Sequence, residues 1–312
     1  MDIATQLPAF WFAPLPGRTE LALLGADRTA ILHNFCTQDI KKLATGQGAE
    51  AFITTHQGKT LGFVSVLVSA DELLLDTVPG QAEVIRQHLD RFIISEQVNF
   101  EDRSTELSVY WVGGTDGAEK LASLLGVPLP QNPLQHEQIP WQSSSLKVVC
   151  GRKAELPYWI VMIPVKRAAE FSSKLAEAGA SELSAEMLTQ FRLLADLPDF
   201  GSEVLDDNLP QEIDRDTLTI SFKKGCYLGQ ETVARLDALG HVNRVLRRIR
   251  FAKPTAEPTS AELFVGDKPA GKVLTAAQPF ANGEVWGFAM VKRLHAKPGT
   301  ELSSSVGPAF VL

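Results

Sequence analysis

The chain of 312 residues has no apolar stretch approaching the roughly 20 residues that cross a bilayer, so no membrane partner is expected. A basic leader is also missing. Residues 1–12 carry Asp2 where a secretory leader has lysine or arginine, and Pro8 interrupts their short apolar part, so they do not read as a signal peptide. Cysteine is scarce: Cys36, Cys150 and Cys226 are odd in number and widely spaced. That excludes a disulfide framework and points to a reducing compartment, with the cytoplasm as the expected location. An excess of positive charge is absent too. With 30 Lys and Arg against 37 Asp and Glu, the net charge of -7 disfavours a surface that grips nucleic-acid phosphates throughout, although a local basic patch stays open. What remains is an ordinary globular composition, 45% hydrophobic and 21% charged, long enough for two or three domains.

Periodicity sets the organisation. Residues 21–24 form a short apolar run ending at Gly25, and Asp27 is placed to cap a helix whose buried side is Ile31, Leu32 and Phe35. Residues 52–55 and 61–68 read as paired strands joined through His56-Gln57-Gly58-Lys59, and residues 73–78 as a third. Val84, Ile85, His88, Leu89 and Phe92 then recur at helical spacing. A similar order follows: an alternating strand (Leu107, Val109, Trp111), a helix (Leu121, Leu124, Leu125), strands at 146–150 and 159–163, and a helix (Ala168, Phe171, Leu175). Residues 126–145, with four prolines, read as a loop inside this second half. The pattern is α+β, two ferredoxin-like halves at about 1–104 and 105–243. From residue 244 short strand-like runs alternate with Pro, Gly and Asn turns, which predicts a small β-barrel over 244–312.

The most informative stretch is Lys223-Lys224-Gly225-Cys226-Tyr227-Leu228-Gly229-Gln230-Glu231. Two glycines bracket a cysteine and suggest a tightly shaped loop, because glycine alone adopts crowded or left-handed backbone cheaply. Two lysines precede the cysteine, and nearby cations favour the reactive thiolate. A helix opening at Gln230 adds its N-terminal dipole to that effect. Buried cysteine also serves as a small apolar filler, and spacing alone leaves the two readings level.

Residues 224–231 reproduce without a gap the Lys-Gly-Cys-Tyr-x-Gly-Gln-Glu string of the YgfZ-type folate-binding relatives of the glycine-cleavage aminomethyltransferase, and the chain resembles that family. Gly25-Ala26-Asp27, Thr37-Gln38-Asp39-Ile40, Gln57-Gly58-Lys59 and Leu209-Pro210-Gln211-Glu212 extend the resemblance over nearly the whole length. It implies a GcvT-like folate-binding fold around a central opening, tetrahydrofolate as cofactor with no stable metal, and iron–sulfur client proteins, among them a tRNA-thiomethylating enzyme, as partners. A monomer without direct tRNA binding is expected. By the same resemblance Cys226 is the functional thiol, Lys223, Lys224, Tyr227, Gln230 and Glu231 shape its site and contact the folate, and a lysine here suits a folate carboxylate.

Two departures from the transferases stand out. After the hairpin glycine the chain reads Gly58-Lys59-Thr60-Leu61-Gly62, without the carboxylate that acts on methylene transfer. Where relatives read Arg-x-Glu-Ala-Gly, the chain has Arg192-Leu193-Leu194-Ala195-Asp196, so Leu194 replaces the pterin-binding glutamate and Asp196, two residues on, is the candidate to stand in for it beside Arg192.

Three other signals carry less. Gly58-Lys59-Thr60 mimics the end of a phosphate-binding loop, but Ile53 stands where its first glycine belongs. His33 and Cys36 lie one helical turn apart with no second ligand pair near them in sequence, which favours a helix side over a zinc site. Arg244, Arg247, Arg248 and Arg250 read as a solvated strand face. Three functions follow: an accessory factor for iron–sulfur proteins, a tetrahydrofolate-dependent one-carbon transferase or demethylase that the missing carboxylate opposes, and a non-catalytic scaffold.

Overall fold

The computed structural model describes residues 7–312, so residues 1–6, with Asp2, lie outside it. Three sheets carry the α+β fold. The first runs Gly48–Thr54, Thr60–Val68, Glu72–Thr77, Thr19–Leu24, Asn99–Asp102 and is antiparallel throughout. Helices Arg28–Phe35 and Ala82–Asp90 cover one face, burying Leu21, Leu23, Ile31, Leu32, Val64, Ile85 and Leu89. The opposite face, with Ala22, Leu67 and Leu74, packs on the second sheet. A strand buried on both faces has no polar side, which is why residues 21–24 read as a continuous apolar run.

The second sheet runs Ser181–Glu182, Trp11–Leu15, Leu107–Gly113, Tyr158–Pro164, Ser144–Cys150, His136–Trp141. Helices Gly117–Leu125 and Ala168–Glu177 bury Leu121, Phe171 and Leu175 on its outer face. Two features differ from expectation. Trp11–Leu15 pairs antiparallel with Leu107–Gly113, so the halves divided at residue 104 share a strand, fixed by the edge contact of Trp11 on Phe191 at 4.6 Å between ring centroids. His136–Trp141 is a strand inside the proline-rich stretch expected to be a loop. It pairs only with Ser144–Cys150, and at a sheet edge the missing N–H of Pro140 costs no ladder bond on its open side. Asp27 does not cap the first helix; its carboxylate accepts from the backbone N–H of Gln97 at 2.8 Å.

The third sheet runs Glu262–Val265, Lys268–Ala276, Val285–Lys292, Arg244–Phe251, Ala309–Val311, Glu301–Leu302. Reciprocal backbone bonds of 2.9 Å between Phe264 and Ser303 join its two edges and close it into a small barrel around Ile249, Phe251, Leu263, Val273 and Val291. The arginines of Arg244–Phe251 are not a free solvated face. Arg244 reaches Glu212 and Asp207 (3.0 Å each), Arg247 reaches Asp214, and Arg248 reaches Glu155 (2.6 Å), all outside the barrel; Arg250 pairs with Glu284 within it. Partly exposed pairs contribute about 0–1 kcal/mol each, so they orient the barrel more than they stabilise it.

The apolar joint does the holding. Phe52 and Phe63 stack at 4.9 Å between centroids, and Leu193, Ile213, Leu246, Phe288 and Met290 close over them from the second half, the connecting segment and the barrel. Emptying that joint by Phe288→Ala is expected to cost roughly 3–5 kcal/mol. Denaturant unfolding measures it, and an unchanged midpoint would contradict this packing.

Candidate functional site

The segment before the cysteine is laced to the residues that follow helix Arg28–Phe35. The Ser221 N–H donates to the Thr37 carbonyl (2.9 Å), the Thr37 hydroxyl to the Thr219 carbonyl (2.6 Å), and the Gln38 amide to the Leu218 carbonyl (2.8 Å). Lys224 completes the seam. Its buried ammonium donates to the carbonyls of His33, Cys36 (2.7 Å) and Gln38 (2.8 Å). Those three bonds use all its donors, and they bind the His33 and Cys36 carbonyls at the helix end while setting a cation at its negative end. Burial pushes the Lys224 ammonium below its ordinary value. The expected pairing of Lys224 with a folate carboxylate is therefore corrected: no donor remains for it. Tyr227 is buried beneath, its ring centroid 4.9 Å from the Lys224 nitrogen, and burial raises its phenol.

Between these two anchored residues the backbone runs over the surface, and Cys226 is exposed. Lys223 is exposed as well. The two glycines differ in role. Gly225 has open space where a Cβ would stand, so its expected steric necessity does not hold. Gly229 has φ +82°, and a Cβ there would come within 2.4 Å of the Thr55 carbonyl and 2.8 Å of the Cα of Gly58. Gly58, at φ +76°, meets Thr232 in the same way. The signature loop thus rests glycine to glycine on the first-sheet hairpin turn. The Thr54 hydroxyl donates to the Leu228 carbonyl (2.6 Å), and the Leu228 N–H donates to the Asn34 carbonyl (2.9 Å). Helix Gln230–Leu239 opens immediately afterwards, with Glu231 exposed in its first turn, where the dipole favours an acid.

Arg192 and Asp196 lie elsewhere. The Arg192 guanidinium is held by Glu203 and lies 3.6 Å from Asp199, so it belongs to an internal ion pair. Helix Ala185–Leu194 starts on Ser184, whose hydroxyl accepts from the Met187 N–H (3.3 Å), and ends with the Leu197 N–H on the Arg192 carbonyl (2.9 Å). That ending requires a left-handed residue, and Asp196 takes it at φ +55°. Its carboxylate stands 3.5 Å from Arg248 in the wall of a cleft of about 290 Å³, which Ile213, Leu246, Phe288, Arg215 and Arg247 also line. The other seven predicted site residues do not line this cleft. The sequence-predicted site is two places: a surface thiol on the hairpin, and a cleft where the halves and the barrel meet.

The cleft can be tested for a folate. The Asp196 carboxylate offers acceptors for the N–H edge of a pterin and apolar walls suit a flat ring, while the lining arginines Arg215, Arg247 and Arg248 are already paired with Glu50, Asp214 and Glu155. The volume lies at the small end for ligand sites, enough for the ring portion. Leu194 is buried, and the Thr60 hydroxyl is buried without a partner. Cys36 is sealed in the core, its thiol pushed up by burial, and His33 sits 3.5 Å from Asp39. Among the described residues no group of three or more His, Cys, Asp or Glu is arranged to hold a metal.

Sequence reasoning missed a set of buried charges between the two sheets. Arg215 is paired with Glu50 (2.7 Å), Arg18 with Asp76, and Arg152 with Asp199 (3.2 Å). The signal was present as carboxylates within largely apolar strands: Glu20 in TELALL, Asp76 in ELLLDT, Glu50 in GAEAFIT.

No family model matches the chain. The solved glycine cleavage system aminomethyltransferase T of Bartonella henselae superimposes over 99% of this chain and 87% of its own with a TM-score of 0.84 at 15% identity, so the fold is that of an aminomethyltransferase. In sequence the chain is 24% identical over 275 residues to the tRNA-modifying protein YgfZ of Vibrio vulnificus, covering 86% of this chain and 80% of that one. It is 23% identical over 295 residues to a mitochondrial homolog of the iron–sulfur cluster assembly factor IBA57 of Aspergillus oryzae, covering 84% and 59%. A chloroplastic protein of Arabidopsis thaliana with a provisional transferase name is 25% identical over 283 residues, and the chain spans 64% of its length. Within the aminomethyltransferase fold the chain is similar in sequence to the YgfZ-type proteins.

Gly229→Ala is expected to cost a few kcal/mol and loosen the thiol loop, through both the left-handed backbone and the clash with Thr55, whereas Gly225→Ala is tolerated within about 1 kcal/mol. Thermal unfolding of the two variants checks the contrast. Equal losses would contradict the glycine-to-glycine seat.

Proposed function

We propose that this protein is a folate-binding accessory factor for iron–sulfur enzymes, including one that modifies tRNA, and that Cys226 is its working thiol. The observation that carries this reading is the exposure of Cys226 on a loop whose neighbours on both sides are fixed, Lys224 by three carbonyls and Gly229 by the hairpin. A filler cysteine is buried, as Cys36 is; an exposed thiol on an anchored loop is set out for an encounter. One thiolate cannot complete the ligand set of a cluster, so any cluster or sulfur held here shares its ligands with a partner. The pairing of Arg244, Arg247, Arg248 and Arg250 with acids leaves that run ill-suited to a tRNA backbone and favours protein clients. Three unpaired cysteines suit a reducing compartment such as the cytoplasm.

For tetrahydrofolate we assign the cleft at Asp196, whose carboxylate takes the acceptor role that Leu194 cannot. What folate supplies when bound is a one-carbon carrier; the residues here bind and orient it. One-carbon transfer as the main activity is opposed by the hairpin, which offers Thr60, Leu61 and Gly62 but no acid.

Two measurements test the reading. In a strain deleted for its own homologue, Cys226→Ala is expected to lose restoration of iron–sulfur enzyme activity while Cys36→Ser, if folded, keeps it; full restoration by Cys226→Ala ends the assignment. By calorimetry, Asp196→Gly is expected to weaken tetrahydrofolate binding about tenfold or more, through loss of a charged hydrogen bond. The variant should stay folded, because glycine relieves the left-handed strain at that position. Unchanged binding in Asp196→Gly removes the ligand from this cleft.

A further inference from the structure

Pairing register places Glu50 opposite Ser65, Ser65 opposite Asp76, and Asp76 opposite Glu20. The four side chains form one row across the first sheet, on the face turned toward the second, and all are buried, Glu20 completely. Three carboxyls in such a row need compensation. Glu50 takes both its acceptor contacts from Arg215, at 3.0 and 2.7 Å. Asp76 is gripped on both oxygens by the fork of Arg18, at 2.5 and 3.0 Å. Glu20 has nothing comparable: neither of its carboxyl oxygens has a donor, although both are shut off from water.

The other charges that face it are already engaged. Arg18 balances Asp76. Lys147, reaching over from the second sheet, is 3.1 Å from Glu72, which Arg103 also grips. An ionised Glu20 would be one uncompensated negative charge in a dry seam, and a buried carboxylate without donors carries a penalty of several kcal/mol. A neutral Glu20 removes the penalty and gains a donor: its O–H has an acceptor in the Asp76 carboxylate, directly opposite it in register.

We propose that Glu20 and Asp76 form a buried proton-binding site, one proton held between two carboxyls with Arg18 as counter-ion, so that the seam between the two sheets is made and loosened by a single protonation. Burial first, and then the Asp76 charge, hold the Glu20 carboxyl well above the usual carboxylate range. The folded chain therefore binds one proton more than the unfolded chain across the interval from the ordinary glutamate value up to the raised one. The contribution is fully present below the ordinary value and is lost as pH rises to the raised one, the folding constant falling about tenfold per pH unit from this site. This device is independent of Cys226 and of folate.

The test uses the whole chain and its Glu20→Gln variant, whose amide donates permanently to Asp76 without titrating. Thermal and denaturant unfolding from pH 5 to pH 9 should show the wild type losing ground to Glu20→Gln as pH rises, the ratio of their folding constants changing about tenfold per unit inside the interval. Infrared spectra near neutral pH should show the carbonyl stretch of an un-ionised carboxylic acid in the wild type and not in Glu20→Gln. Parallel pH profiles, or no such band in the wild type, overturn the proposal. If Glu20→Gln does not fold, the wild-type band and its disappearance on alkaline titration decide alone.

Discussion

The Lys224 ammonium, seated on the carbonyls of His33, Cys36 and Gln38, is the contact on which the functional reading depends. It joins the signature loop to the end of helix Arg28–Phe35, nearly 190 residues away in sequence, and so decides where Cys226 emerges. A lysine serves this better than an arginine would. Its compact charge carries three donors that spread over three carbonyls, whereas the planar guanidinium fork matches carboxylates. The same contact removes Lys224 from the folate. A residue that looked like a ligand in the sequence is an anchor in the fold.

The chain has kept the transferase architecture and changed what fills it. Phe52, Phe63, Leu193, Leu246, Phe288 and Met290 pack the meeting point of the three sheets, and the remaining cleft is narrow. The hairpin reads Thr60-Leu61-Gly62 with no acid and a buried Thr60 hydroxyl, and Leu194 is buried as well. A hairpin without an acid is poorly equipped for the proton transfers of one-carbon chemistry. Asp196 runs the other way. It accepts a strained left-handed backbone where glycine would be relaxed, at a cost of about 1 kcal/mol, and places a carboxylate in the cleft wall.

Much of the fold was legible because its elements obey simple periods. The first-sheet strands are apolar runs, and Ala82–Asp90 and Ala168–Glu177 repeat at helical spacing. What escaped depends on distant partners. Trp11–Leu15 joins a sheet whose other strands begin near residue 107, and His136–Trp141 is hidden by prolines that only an edge position tolerates. The site was half legible. The string around Cys226 names the thiol loop, but the targets of Lys224 and the clash that fixes Gly229 exist only once the helix end and the hairpin are brought beside it. The arginine run at 244–250 misled for the same reason: its acids, Glu212, Asp214 and Glu155, are far away in sequence.

The central claim is that Cys226, alone of the three cysteines, is held out on an anchored loop. Timed alkylation of the native protein, followed by peptide mapping, tests it most directly. Cys226 should be modified first, half-buried Cys150 later and Cys36 only on unfolding. Modification of Cys36 at a rate matching Cys226, or a Cys226 that stays silent until the protein unfolds, would contradict it.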